Sequence, residues 1–364
     1  MSRVLGKQEI KEVLYGATLL GGGGGGPLQI ALDVLEPMSE DEAKLMIYDL
    51  EELEPDDYGV MVATLGSPVA MNSAGAEVVL GEAEKYAVEG IVKELKKDGK
   101  HIKFMYSGEY GGLNTFMPIL TAINLRMPFV DVDGEGRAVP ELNTGLQAIY
   151  GIPTSPMVLS NSQGDVMVAY TKDPMDDKAA EKIARQMCMA YDMRIGFSTW
   201  VVSKEQMKNL VPGAISKAAQ VGKSILASKK ANVDPIQALS KVVEIRELFR
   251  GEVMEVQLVA ENGFDFGITT FKSAEGKRFF IDFKNENLVA RDDSGNVLMV
   301  VPEIICLLDM DSYEPLTNAE IKVGMNVSVI ASPAAENWWK IPEGFTCWNK
   351  NLELVGYNGG PVRF

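Results

Sequence analysis

Apolar side chains recur at helical spacing through residues 7–20, KQEIKEVLYGATLL, and the pattern stops at six consecutive glycines. This predicts a helix that ends where the glycine run begins. Pro27 then suits the first turn of a second helix, LQIALDVLE, because that position needs no backbone N–H donor. KLMIYDL and GVMVATL read as strands, AEKYAVEGIVKELKKD as an amphipathic helix and IKFMYS as a buried strand. A helix near LNTFMPILTAI and a strand at MPFVDVD follow. Strands alternating with helices predict a layered α/β domain over residues 1–168.

From about residue 156 the pattern changes. PMVLS and DVMVAYT read as strands joined by the turn-forming NSQG, and helices follow over 176–193 and again between 204 and 242. EVMEVQLVA, FDFGITTF, KRFFIDF, VLMVVPEIICLLD and MNVSVIAS then read as strands separated by ENG, SAEGK and DDSGN turns. Dense hairpin signals predict a β-barrel- or sandwich-like domain. The second domain is thus expected over 169–364, with a helical lead-in and a β-rich part at about 250–335.

Composition narrows the functional classes. Against 35 Lys and Arg stand 51 Asp and Glu, a net charge of −16 spread along the chain. Nucleic acid and anionic membranes should be repelled by that field. No apolar run approaches the ~20 residues of a spanning helix, and the charged N-terminal segment has no continuous apolar core. Three cysteines far apart in the sequence, Cys188, Cys306 and Cys347, point to buried thiols in a reducing compartment. A cytoplasmic protein is expected, with a small-molecule substrate and room for a homo-oligomer. The single histidine, His101, excludes any zinc site built on several histidines and reads as the start of a strand.

The candidate chemistry lies in loops after strands. GGGGGGPLQ lacks the Lys-Ser/Thr pair of a phosphate-binding Walker loop and follows a helix, so neither a P-loop nor a dinucleotide fingerprint fits, and no nucleotide cofactor is expected. Residues without Cβ, among them Gly23, Gly24 and Gly25, do let backbone N–H groups approach a ligand beside a helix N-terminus. In DVDGEGRAVPEL, residues 131–142, the spacing of Asp131, Asp133 and Glu135 resembles a calcium loop, but its twelfth position is Leu142, not Glu. As a strand-end loop it offers Asp131, Asp133 and Glu141 as base, acid or metal ligands, and Arg137 as an anion or ring clamp. SGEYGGLN brings Glu109 and Asn114, and GSP brings Ser67, toward the same sheet edge. FKNENLVA reads as a polar turn carrying Asn285, Glu286 and Asn287, placed to close the crevice from the second domain. Trp338 and Trp339 offer aromatic surface to a pocket or an interface. Arg137→Lys is expected to impair the site while leaving stability nearly unchanged.

LLGGGGGGPL, YSGEYGGLNTFMPIL, PFVDVDGEGRAVPEL and FKNENLVA, in this order, resemble the S-methyl thiohydantoin desulfurase family, long described as a domain of unknown function associated with hydantoin metabolism. The resemblance spans nearly the whole chain and implies a three-layer α/β domain followed by a β-barrel-like domain. Gly22 stands where family members commonly carry a hydroxyl residue, and Glu303 where Asp is expected. The implied chemistry is a hydrolase: water attacks C2 of an S-substituted thiohydantoin ring, and a thiol leaves. Glu109 or Asp133 would serve as base, with Arg137 and Asn114 stabilising charge and Gly23, Gly24, Gly25, Ser67, Asp131, Glu141, Glu286 and Asn287 binding the ligand. A divalent metal on Asp131, Asp133, Glu141 and Glu286 stays open. The alternative from another class is a non-catalytic ligand-binding or accessory subunit of a hydantoinase-like system. An enzyme should gather carboxyls of perturbed titration in one crevice; an accessory subunit should not.

Overall fold

A computed structural model describes residues 2–66, 80–191, 194–261 and 264–364. Helix α1 (Lys7–Leu20) begins with the Glu9 carboxylate accepting the Gly6 N–H at 3.0 Å, and buries Ile10, Val13, Leu14, Ala17 and Leu20. Helices α2 (Leu28–Leu35), α3 (Glu82–Lys96), α4 (Gly112–Leu125) and α6 (Ala214–Ala231) join it on one face of a mixed nine-stranded sheet. The opposite face is covered by α5 (Asp177–Ala190) and by the chain around Trp338, Trp348 and Leu352. Helices, sheet and second cover make the expected three layers.

The sheet order is β1 (Arg3–Leu5), β2 (Leu45–Tyr48), β5 (Phe129–Asp133), β4 (Ile102–Ser107), β3 (Tyr58–Gly66), β8 (Arg194–Ser203), β6 (Met157–Ser160) and β7 (Val166–Ala169), with β9 (Val211–Pro212) added to β5. Strands β2, β5, β4 and β3 are parallel neighbours, and β8 closes on β3 antiparallel. Alternation along β3 explains the layering: Val60 and Val62 face the helices, while Met61 faces the opposite layer. The pattern of apolar positions assigned no element to 194–203, yet β8 together with α6, both beyond residue 168, completes this sheet and its helical layer.

The second sheet is wholly antiparallel: β14 (Val297–Val300), β13 (Glu286–Asp292), β12 (Arg278–Lys284), β11 (Phe264–Lys272), β10 (Arg246–Glu261), β17 (Asn326–Ser332), β15 (Ile304–Asp309) and β16 (Pro315–Leu316). Its path ends at two edges, β14 and β16, so of the two expected forms it is the sandwich-like one and not a closed barrel. VLMVVPEIICLLD, expected as one strand, is two: the chain breaks at 301–303, where Pro302 has no N–H to give a ladder. FKNENLVA is a tight turn only at Asn285, in the left-handed region at φ 55°, and continues directly as β13. Among the described residues no helix is long and apolar enough to cross a membrane.

Helices α1 and α6 touch backbone to backbone. A Cβ on Gly16 would stand 1.9 Å from the Ala218 carbonyl oxygen, and one on Gly222 would stand 1.8 Å from that of Glu12. Alanine is favoured over glycine inside a helix by ~1 kcal/mol, but here the clash is with backbone that cannot swing aside. Gly222→Ala should therefore destabilise by at least ~1–3 kcal/mol, the usual cost of overpacking. Urea unfolding of that variant would show a lower midpoint; a raised midpoint would mean the helices are not in this contact.

Candidate functional site

Strands β3, β4 and β5 end side by side, and ligands of open α/β sheets bind beyond such carboxyl ends. Glu109 lies two residues past β4 and Glu135 two residues past β5. Both line a cavity of about 460 Å3, together with Asn114, Glu141, the loop of Gly23, Gly24, Gly25 and Gly26, and residues 61–66 of β3. The second sheet supplies the other side through Leu258, Phe264, Asp265, Asn285, Glu286 and Asn318.

The glycine loop is a packed joint. Gly22 O accepts the Asn287 N–H at 2.9 Å, Gly23 O the Asn318 N–H at 2.8 Å and Gly25 O the Asn114 N–H at 3.0 Å. A Cβ on Gly24 would meet Glu286 Oε1 at 2.1 Å, and one on Gly25, whose φ is +76°, would meet Gly111 Cα at 2.4 Å. No other residue fits these positions. Among the described residues the N–H groups of Gly25 and Gly26 have no acceptor, and the first turn of α2 follows directly after Pro27.

The carboxyls of Glu109, Glu135 and Glu286 line this cavity. Glu109 Oε2 accepts the Val139 N–H at 2.8 Å, and its Oε1 accepts from Asn114 Nδ2. Burial outweighs these bonds and pushes its carboxyl up to about 7. Glu135 accepts the Leu146 N–H at 2.7 Å and is held from behind by Trp338, whose indole donates to the Glu135 carbonyl at 2.8 Å. Glu286 is 3% exposed, and its Oε2 has no partner among the described residues. Burial holds both Glu135 and Glu286 well above the usual carboxylate range, and the neighbouring Glu109 raises Glu286 further.

Four expected site residues lie outside the cavity wall. Asp131 faces the helical layer, where Oδ1 accepts the Ile215 and Ser216 N–H groups at 2.7 and 3.1 Å and anchors the start of α6. Asp133 turns back on its own loop, accepting the Glu135 and Gly136 N–H groups at 3.0 and 2.6 Å; burial raises it to about 6, but what it does is aim Glu135. Asn287 donates to the Ile305 carbonyl at 2.8 Å and braces the glycine loop. Arg137 is not a clamp on the cavity: it is 0% exposed, its Nε donates to Ala138 O at 2.9 Å, its Nη1 to Pro302 O and Glu303 O at 2.6 and 3.0 Å, and its plane lies 4.5 Å from the Trp348 ring. Removing it would unfold a joint, so Arg137→Lys is corrected to a change in stability. Ser67 lies outside the described residues. Glu141 does line the cavity, paired with Lys284 Nζ at 3.1 Å.

The motif reading passed over the aromatic wall of Phe197, Trp200 and Phe264, the last lying between Arg185 at 4.4 Å and Lys284 at 4.2 Å. Only the presence of two aromatic residues in IGFSTW hinted at it, since their spacing of three does not fit one face of a regular strand. Among the described residues no group of three or more His, Cys, Asp or Glu side chains is arranged to hold a metal ion. The free thiols Cys188 and Cys306 are buried, Cys347 is partly so, and exposed His101 takes no part in the cavity.

A two-sheet α/β protein with a carboxyl-lined cavity between its sheets is the class these features define. Residues 8–171 match the S-Me-THD-like N-terminal domain and residues 175–364 the S-Me-THD-like C-terminal domain, so the chain belongs to the S-methyl thiohydantoin desulfurase family. A crystal structure of a protein from Chromobacterium violaceum, solved as a structural genomics target, shares the fold with a TM-score of 0.85 over 99% of each chain, at 23% identity. None of the curated proteins matches the chain.

Carboxyls raised in the folded state bind protons that the unfolded chain has already released. Their stabilising effect is present below the ordinary carboxylate range and is lost as pH rises through the folded value, for Glu109 about 7. The melting temperature should fall between pH 5 and pH 8, and Glu286→Gln should raise it at pH 8 more than at pH 5. Thermal melts across that range check the sign; a wild-type melting temperature that climbs to pH 8 would contradict it.

Proposed function

We propose that the protein is a hydrolase of S-substituted thiohydantoin-type rings. The observation that carries this reading is the meeting of Glu109, Glu135 and Glu286 with the open N–H groups of the glycine loop in one cavity. Water attack at ring C2 needs a base; Glu109, raised to about 7 and oriented by Asn114 and the Val139 N–H, is poised to take the proton at neutral pH. Negative charge that develops on the ring meets the Gly25 and Gly26 N–H groups near the start of α2. As the tetrahedral intermediate collapses, the C2–S bond breaks, the proton of the new C2 hydroxyl passes to the ring nitrogen so that C2 becomes a carbonyl, and neutral Glu286 gives its proton to the departing thiolate. The products are a hydantoin and a thiol, and exchange of protons with solvent restores both carboxyls.

The same cluster favours an enzyme over the accessory-subunit reading, since a scaffold has no use for buried carboxyls of displaced titration facing a cavity. Family membership supports the ring class. Glu109→Gln keeps the side-chain size and one of its two acceptor positions and removes the base. It should lower kcat/KM for an S-methyl thiohydantoin by ~10²–10⁴-fold, the usual range for a positioned base, and abolish the acidic limb of the wild-type profile near pH 7. Thiol release followed with a chromogenic disulfide reads both; wild-type turnover in that variant would remove Glu109 from the reaction.

A further inference from the structure

Strand β8 carries a β-bulge. Gly59 pairs with Val202 and Met61 with Thr199, so Trp200 and Val201 together oppose Val60 on β3. Trp200 sits there at φ 47°, a backbone conformation that bulky side chains rarely adopt. Residues three apart on a regular strand point to opposite faces. The bulge inserts one residue, and Phe197 and Trp200 therefore reach the same side and both line the cavity. The turned Trp200 carbonyl is satisfied from across β3 by the Tyr106 hydroxyl at 2.8 Å, which fixes the arrangement. Trp200 is only 4% exposed, and its indole N–H has no partner among the described residues.

The cavity is larger than a single five-membered ring requires. At about 460 Å3 it falls in the range that holds ligands with substituents. The acids and the glycine loop form one part of its lining, Phe197 and Trp200 another. Glu181 and Glu141 in the lining are paired with Arg185 and Lys284, at 2.7 and 3.1 Å, and Asp265 adds a further carboxyl, so these two cations are already engaged, which disfavours an anionic group there. We propose that Trp200, backed by Phe197, is the specificity-determining wall of the site and takes an uncharged aromatic substituent carried on the substrate ring. The identity of the ring rests on the hydrolase reading; the wall itself does not.

The experiment compares kcat/KM for the 5-benzyl and 5-methyl derivatives of an S-methyl thiohydantoin in the wild type, Trp200→Ala, Trp200→Phe and Phe197→Ala, with binding of toluene, which lacks the thiohydantoin ring, followed by saturation-transfer NMR. The wild type should prefer the benzyl derivative, and Trp200→Ala should reduce that preference ~10-fold or more, with Trp200→Phe recovering part of it. Should Trp200→Ala fail to fold, Phe197→Ala reads the same ratio. If neither thiohydantoin is turned over but toluene binds the wild type and is lost from the variants, the ring reading fails and the wall stands. Equal rates for the two derivatives, an unchanged ratio in the variants, or no toluene binding to the wild type would overturn the wall.

Discussion

The guanidinium of Arg137 has no access to water and lies where the two sheets meet. Taking such a charge out of water costs several kcal/mol unless its donors are met. Three donations to the carbonyls of Ala138, Pro302 and Glu303 and the face of Trp348 offset part of that cost, Nη2 having no hydrogen-bond partner among the described residues, and two of those carbonyls belong to the turn between β14 and β15. One side chain from the first sheet thereby fixes the edge of the second. The cation also lowers the cost of ionising Glu109, Glu135 and Glu286 nearby, but one positive charge cannot serve three carboxylates. Burial wins at each of them, and the cavity retains carboxyls able to give protons beside one able to take them.

The glycine loop depends on the same joint. Its carbonyls accept from Asn287 and Asn318 of the second sheet region, and its missing side chains leave space that Glu286 and Gly111 fill. Ordering six glycines carries a large entropic cost. Packing from both sides holds the loop in place, and among the described residues the N–H groups of Gly25 and Gly26 meet no acceptor. Glu303, in the same turn that Arg137 grips, accepts the Phe364 N–H at 3.0 Å and ties down the end of the chain.

Much of this was legible in the sequence. Period-two and period-3.6 patterns marked the alternating first half and the hairpins over 250–335, and glycine-flanked acids after strands marked Glu109, Glu141 and Glu286 as cavity residues. Side-chain direction was not legible. Asp131 and Asp133 are two apart on β5, yet Asp131 serves the start of α6, which only the fold brings opposite it, while Asp133 closes a turn with the N–H groups of its own loop. Arg137 reads as a clamp in a glycine-rich loop; only the placement of the β14–β15 turn against it makes it a structural bolt. Strand β8 escaped because its bulge breaks the alternation at Trp200, the very feature that turns the indole toward the cavity.

Burial holds the carboxyls of Glu109, Glu135 and Glu286 above the ordinary carboxylate range, and on this the reading of the cavity rests. Carbon-detected NMR titration of the protein labelled at the glutamate side-chain carboxyl carbon, with signals assigned through Glu109→Gln, Glu135→Gln and Glu286→Gln, measures it directly. Glu109 should titrate at about 7, with Glu135 and Glu286 still protonated where the surface glutamates have ionised. Titration of all three within the ordinary carboxylate range, near pH 4 to 5, would contradict the account.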